Sequence, residues 1–224
     1  NNVIVSFVML KFIKRVIKFI AHRSGATQWP TKSFKIWLLI QNILNEFQPN
    51  KLIEFGSGRS TSFLAEFSEK ENKKFLSIEQ NLAFSKMVKK GLEIANLKAD
   101  VVEHIAIKYD WYDINKLKKI SLSSYDFILI DGPGGAFNKG DRNSKNGIDF
   151  IKSICNEGTI LIFDDTQRDD VCSVMDNFRK ELFPKSKIYT FQYDVGNKEE
   201  NSISFLIPQL YDVRFNKLKK TVFL

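Results

Sequence analysis

Short apolar segments alternate with longer amphipathic segments from residue 51 onwards. The first pattern is typical of buried strands and the second of helices. The predicted strands are 51–55, 74–78, 99–107, 125–130, 159–163, 187–193 and 202–208. The predicted helices are 60–68, 82–96, 112–120, 146–156 and 170–182. The alternation predicts an α/β fold, a doubly wound and mostly parallel seven-stranded sheet with helices on both faces.

Only a polar turn, VGNKEEN, separates the last two predicted strands, so we expect them to be antiparallel neighbours. In open α/β sheets, ligands bind at the carboxyl ends of the strands. Four predicted strands end there in polar or glycine-rich groups, namely Glu54–Gly58, Glu79, Asp131–Gly135 and Asp164–Asp165. We expect these groups to lie at one edge of the sheet.

Ahead of this pattern, residues 1–48 form a predicted helical extension, and 49–224 form the predicted main domain. The segment 3–20 is apolar apart from Ser6 and a stripe of Lys11, Lys14, Arg15 and Lys18 with helical spacing. Such a helix packs on its own domain or on a second subunit, or it lies on an anionic membrane surface through residues 3–22. Its uncharged run is too short to span a bilayer. A second helix is predicted over 32–47.

Composition narrows the function classes. Apolar residues make up 43% of the 224 residues and charged residues 27%, which excludes wholesale disorder. Two cysteines without a CxxC pair and two histidines exclude a disulfide scaffold, a cysteine-type zinc site and a multi-histidine metal site. This cysteine usage fits a cytoplasmic, reducing compartment. The net charge of +8 favours anionic partners, nucleic acid among them.

The first strand leads into the sequence EFGSGRST, residues 54–61. Glycines at 56 and 58 allow a tight turn and a close approach of a ligand to the backbone. A dinucleotide fold places a third glycine where this chain has Thr61, and the phosphate-loop pattern GxxxxGK[ST] is absent. Glu79 follows Gly58 by 21 residues and ends the second strand, a position from which a carboxylate accepts hydrogen bonds from a ribose diol.

Together these segments resemble the class I S-adenosylmethionine-dependent methyltransferases over residues 50–208. EFGSGRST resembles the family's first motif, SIEQ its ribose-binding second motif, and the final pair of strands its reversed seventh strand. The resemblance implies a Rossmann-like methyltransferase fold and S-adenosylmethionine as cofactor. The implied cofactor-binding residues are Glu54, Gly56, Ser57, Gly58, Ser60, Thr61, Glu79, Gln80, Asp110, Trp111 and Asp131. Trp111 as ordinary core is the alternative.

Two later segments, DFILIDGPGG and TILIFDDTQR, resemble O-methyltransferases of sugars and polysaccharides, the glucuronoxylan 4-O-methyltransferases included, and the catechol-type O-methyltransferases. The resemblance implies that Asp131, Asp164 and Asp165 hold Mg²⁺ or Mn²⁺. Converging carboxylates repel one another, and a hard cation relieves that repulsion. The alternative is that Asp164 and Asp165 bond the following helix and loop without a metal. This chain has Asp165 where the catechol type has asparagine.

The glycine-rich loop 134–147 is long for a strand–helix connection, and such loops commonly cover a substrate. Lys139, Asp141, Arg142 and Lys145 are its candidate contacts with an anionic substrate, and a solvated loop is the alternative. Lys139 is also the candidate base, beside Asp131 and Asp164, for removing an acceptor proton.

The sequence therefore predicts methyl transfer from S-adenosylmethionine to a hydroxyl of a small molecule, sugar or glycan. RNA or protein as acceptor is the first alternative, with nucleic acid less favoured because no NPPY-like signature follows the fourth strand. A non-catalytic, membrane-associated binding module with the same fold and a nicotinamide-dependent oxidoreductase are the others. A homo-oligomer is compatible with all of them.

Overall fold

The computed structural model describes residues 31–121, 124–134, 141, 144–194 and 200–223. The prediction of a helix over 3–20 lies outside these residues. The helices are α1 (Thr31–Phe47), α2 (Arg59–Lys70), α3 (Leu82–Ile94), α4 (Ile114–Ile120), α5 (Lys145–Ser153), α6 (Asp169–Leu182) and α7 (Asp212–Phe223). The strands are β1 (Lys51–Phe55), β2 (Lys74–Glu79), β3 (Val102–His104), β4 (Ile107–Lys108), β5 (Trp111–Tyr112), β6 (Phe127–Ile130), β7 (Ile160–Phe163), β8 (Lys187–Asp194) and β9 (Glu200–Ile207).

Seven strands form one sheet in the order β3-β2-β1-β6-β7-β9-β8. The pairings among β3, β2, β1, β6 and β7 are parallel, and β9 runs antiparallel between β7 and β8. This confirms the predicted fold class and the antiparallel last strand. The order also places β2, β1, β6 and β7 side by side, so their carboxyl ends share one edge.

Both faces of the sheet are buried, as the near-continuous apolar strands require. On one face, Phe55, Ile130 and Phe163 pack with Trp111 and residues of α5 and α6. On the other face, the alternate strand residues pack with α1 and α7. No helix among the described residues is long and apolar enough to cross a membrane.

Three elements differ from the sequence prediction. The predicted strand 99–107 ends at His104, and Ile107–Lys108 pairs instead with Trp111–Tyr112 in a small antiparallel hairpin. The helix predicted over 112–120 therefore begins at Ile114, where the side chain of Asp113 accepts a hydrogen bond from the amide of Asn115. Helix α7 was not predicted, although Phe215, Leu218 and Val222 have helical spacing and pack on the sheet.

Candidate functional site

The expected edge is present, because the residues that follow β1, β2, β6 and β7 extend from neighbouring parallel strands. The loop after β1 turns at Gly56, whose φ is +91°. A Cβ atom on Gly56 would lie 2.8 Å from the amide nitrogen of Gly132 and 2.9 Å from the carbonyl carbon of Asp131. Two loops from adjacent strands thus touch backbone to backbone, and only glycine fits between them. At Gly58, by contrast, an added Cβ meets nothing within 4 Å.

Glu54 is hydrogen-bonded to this loop through the side chain of Thr61. Its Oε2 accepts hydrogen bonds from Thr61 Oγ1 (2.6 Å) and Ser77 Oγ (2.6 Å), and Thr61 Oγ1 accepts one from the amide of Gly58 (2.7 Å). The residue that replaces a third glycine therefore links the buried carboxylate to the loop backbone. Burial raises the pKa of Glu54 to about 7, against the lowering effect of hydrogen bonds from Ser60, Ser77 and Thr61. Its Oε1 is buried and has no hydrogen-bond partner in the part of the chain that the structure describes.

Glu79 holds the same loop from the neighbouring strand. Its Oε2 accepts hydrogen bonds from the amide (3.1 Å) and the Oγ (3.0 Å) of Ser57, and its Oε1 accepts one from the amide of Asn81 (2.8 Å). The carboxylate is buried. An ionised carboxylate has about four acceptor positions, so three protein donors leave capacity for a further donor. The predicted first and second motifs are therefore brought together.

Gln80 joins this cluster to the hairpin. Tyr112 donates its hydroxyl to Gln80 Oε1 (2.9 Å), and His104 Nε2 lies 3.1 Å from the carbonyl oxygen of Gln80. His104 thus has a structural role, because its ring contacts the backbone of Gln80. A Cβ on Gly134 would lie 3.5 Å from Gln80 Nε2, which places the loop after β6 beside the same side chain. The contact of Tyr112 with this cluster was not predicted from the sequence. Tyr112 belongs to a hairpin whose residues were assigned to the predicted strand 99–107 and the predicted helix 112–120.

The two residues predicted to contact adenine have different surroundings. Asp110 lies in the hairpin turn, where its carbonyl accepts a hydrogen bond from the amide of Asp141 (2.7 Å). Trp111 is 1% exposed and belongs to the core, packed against Phe55 and Gly147. This burial is what the alternative of an ordinary core residue predicts, and Trp111 also lines a cavity of about 180 Å³ beside the hairpin.

The carboxylates after β6 and β7 do not assemble a metal site. Asp164 Oδ1 accepts hydrogen bonds from Tyr193 of β8 (2.6 Å) and from the amide of Asp165 (2.9 Å), and Asp165 has a φ of +60°. Burial and the charges of Asp164 and Asp131 raise the pKa of Tyr193. Within the described ranges, no group of three or more His, Cys, Asp or Glu side chains is placed to hold a metal ion. The predicted set Asp131, Asp164 and Asp165 is therefore not brought together as a metal site among the described residues. The contact of Tyr193 with Asp164 at this edge was not predicted from the sequence.

The candidate base Lys139 and the candidate contact Arg142 lie outside the described residues. Lys145 forms an ion pair with Asp149 (2.6 Å) on the exposed surface of α5. Arg168, which follows the acidic pair, forms one with Asp170 (2.8 Å). Lys145 and Arg168 thus each have an acidic partner on the same helix or at its end, in ion pairs that stay exposed to solvent.

Comparisons with known proteins relate the fold to that of methyltransferases. No family profile and no curated protein matches the sequence. The structure is similar to an O-methyltransferase from Bacillus cereus in complex with SAH, at 18% identity and a TM-score of 0.55, with 88% of this chain and 90% of that chain covered. It is also similar to the SAH-bound methyltransferase PaMTH1 of Podospora anserina, at 13% identity and a TM-score of 0.52, with 89% and 88% covered. The chain has the methyltransferase fold.

A third similar structure, cofactor-bound Rv0187 from MTB, aligns at 15% identity and a TM-score of 0.58 over 89% of each chain. At these identities the likeness concerns the methyltransferase fold, while the chemistry depends on this chain's own side chains.

Proposed function

We propose that this chain binds S-adenosylmethionine at the loop Gly56–Gly58 and transfers its methyl group to an oxygen atom. The observation that carries the proposal is the double fastening of this loop, by Glu54 through Thr61 and by Glu79 through Ser57. A loop held from two sides presents a fixed backbone surface, and binding to a preformed surface loses less conformational entropy. The open space at Gly58 leaves room for a ligand against that surface.

The residues present suit the parts of this cofactor. The amides in the first turn of α2, behind Gly58, suit a carboxylate, since a helix N-terminus attracts negative charge. Glu79 is the proposed acceptor for the ribose hydroxyls, with Gln80 beside it. Asp110 is the proposed contact at the adenine side. The bound cofactor supplies a methyl group that its sulfonium has already activated, so the protein must mainly align the acceptor oxygen with the methyl carbon.

Asp131 and Asp164 are the proposed residues that orient the acceptor hydroxyl by accepting its hydrogen bond. Tyr193 fixes the side chain of Asp164 by donating to it. A metal has no step in this scheme, because the described carboxylates do not form a metal site.

The proposed acceptor is a hydroxyl of a sugar or glycan, a choice supported by the IDGP and FDD segments that resemble sugar O-methyltransferases. The net charge of +8 supports an anionic acceptor such as RNA as the second candidate.

The test is transfer of isotope-labelled methyl from S-adenosylmethionine to separate pools of glycans, RNA and proteins. We expect label in the glycan pool, loss of transfer in Glu79→Ala, and retention in the matched control Glu103→Ala, which changes a carboxylate on the neighbouring strand β3. Label in RNA alone would replace the acceptor class. Absence of labelled product in all three pools, or transfer that Glu79→Ala leaves intact, would overturn the proposal.

A further inference from the structure

The outer side of helix α7 is basic. Arg214, Lys217 and Lys220 recur at intervals of three residues along the helix, and all three are exposed. The inner side carries Phe215 and Val222, which are buried against the sheet. Packing thus explains the inner side of α7 and leaves the basic outer side without a structural role.

Two acidic side chains lie beside these bases, and both already have partners. Asp212, the first residue of α7, pairs with Lys187 at 2.6 Å. Glu46, near the end of α1, pairs with Arg214 at 3.7 Å. Within the described part of the chain, no acidic side chain pairs with the two lysines of the outer side. The outer side of α7 therefore keeps an uncompensated positive charge.

Two large apolar side chains are exposed among these bases. Val213 is 82% exposed, and Leu210, in the short helical turn Gln209–Tyr211, is 59% exposed. Val213 lies one turn after Leu210 and one turn before Lys217, so the three side chains share one side of the chain. Apolar residues interspersed with lysine and arginine are typical of helices that lie on an anionic lipid surface.

The chain that precedes the described fold has the same character. The Phe47 ring lies 4.6 Å from the Tyr211 ring, whereas Lys35 lies 5.8 Å from the Phe223 ring, so α1 and α7 run antiparallel. Residues 1–30 therefore join the fold beside the end of α7. They contain Lys11, Lys14, Arg15, Lys18 and Arg23 and no acidic residue. Because like charges repel, this segment is a poor occupant for the outer side of α7, and an anionic partner suits both.

The side chains favour a lipid surface over RNA. Phosphate groups of either partner attract lysine. RNA is also bound by stacking its bases on open aromatic rings, but here Lys219 lies 4.9 Å from the Tyr189 ring and Arg214 lies 5.6 Å from the Tyr211 ring. Exposed aliphatic side chains gain free energy by leaving water for the interfacial region of a bilayer, and RNA offers them no such region.

We propose that the outer side of α7 binds an anionic phospholipid surface through Arg214, Lys217 and Lys220, with Leu210 and Val213 entering its interfacial region. The cofactor loop follows β1, which lies three strands from β9 in the sheet. Binding to lipid at α7 thus leaves that loop uncovered, and it does not depend on the proposed methyl transfer.

The test is co-sedimentation of the intact chain with vesicles that contain phosphatidylglycerol, and with vesicles of phosphatidylcholine alone. We expect binding to the anionic vesicles only, weakening as the salt concentration rises. The double variant Lys217→Gln/Lys220→Gln should bind them about thirtyfold more weakly, since each lysine near such a surface contributes about fivefold. The matched control Lys118→Gln/Lys119→Gln removes the same charge from exposed positions of α4, on the other face of the sheet, and should bind as the wild type does.

The apolar contribution is tested by Leu210→Ser/Val213→Ser, which should weaken vesicle binding about tenfold without a change of charge. All these positions are exposed, so the melting temperature and the SAH affinity should match those of the wild type. An RNA oligonucleotide is the competing probe.

The proposal is overturned if anionic vesicles are not bound, or if the α7 lysine variant binds them as the wild type does or no more weakly than the α4 control. RNA binding that the α7 lysine variant weakens, without vesicle binding, would assign the surface to RNA instead. Vesicle binding with the expected losses in a chain that does not bind SAH would overturn the proposed function and keep this surface.

Discussion

Gly56→Ala tests the contact between the loops after β1 and β6. Gly56 has a φ of +91°, and an L-residue in the left-handed region costs about 1–2 kcal/mol. The new methyl group would also lie 2.8 Å from the amide nitrogen of Gly132 and 2.9 Å from the carbonyl carbon of Asp131. Both neighbours are backbone atoms of a loop anchored to β6, so no side-chain rotation relieves the overlap.

Crowding of this kind in a packed region costs about 1–3 kcal/mol. The two contributions sum to about 2–5 kcal/mol, and alanine recovers up to about 1 kcal/mol by reducing the freedom of the unfolded chain. We therefore expect Gly56→Ala to lower the free energy of unfolding by about 1–4 kcal/mol. For a domain of this size, that corresponds to a fall in melting temperature of about 2–16 °C.

Gly58→Ala is the matched control, two residues along the same loop. Its φ of −177° is extended, and the added Cβ meets nothing within 4 Å. We expect its unfolding free energy to stay within about 0.5 kcal/mol of the wild type, while SAH affinity falls because the methyl group occupies the proposed ligand space. Urea denaturation and calorimetric titration measure the two effects. If Gly56→Ala is as stable as Gly58→Ala, the reasoning about the loop contact is wrong.

Three further predictions concern single side chains. The pKa of Glu54 is raised from 4.5 to about 7, so its neutral form favours folding below pH 4.5 and this stabilisation is lost as the pH rises towards 7. Urea denaturation should show a loss of about 3 kcal/mol over that interval in the wild type, and Glu54→Gln should remove that dependence. A pH dependence that persists in Glu54→Gln would contradict the assignment to Glu54. Tyr193→Phe deletes the hydroxyl that donates to Asp164, so it should lower the free energy of unfolding by about 1–3 kcal/mol. An unchanged denaturation midpoint would mean that this hydrogen bond does not contribute to stability. Burial raises the pKa of the Cys155 thiol to about 12, whereas Cys172 is exposed. A thiol reagent at pH 8 should therefore label Cys172 quickly and Cys155 only on unfolding. Equal labelling rates would contradict the burial of Cys155.

The sheet could be predicted from the sequence because both of its faces are buried and each strand is a short apolar run bounded by polar residues. The rule that ligands meet the carboxyl ends of parallel strands then placed Glu54, Glu79, Asp131 and Asp164 at one edge without knowledge of any contact. The hairpin after β3 could not be predicted in this way. Its strands are two residues long, too short for a periodic pattern to register.

The side-chain contacts of the site were less predictable than its location. Tyr193 is 29 residues beyond Asp164, on an edge strand that another strand separates from β7, and nothing in the local sequence links the two. The predicted metal site required three carboxylates to converge on one position. In the structure, the hydroxyl of Tyr193 donates a hydrogen bond to one of them, Asp164. Thr61, which departs from the dinucleotide pattern, has a physical role that became visible only with its bonds to Glu54 and Gly58.

The most direct measurement for the central claim is a parallel calorimetric titration of the wild-type chain with SAH and with NADH, each with and without EDTA. The account predicts one SAH bound per chain, no change in that binding with EDTA, and no binding of NADH. Binding of NADH in place of SAH, or no heat and no rise in melting temperature with SAH, would contradict it.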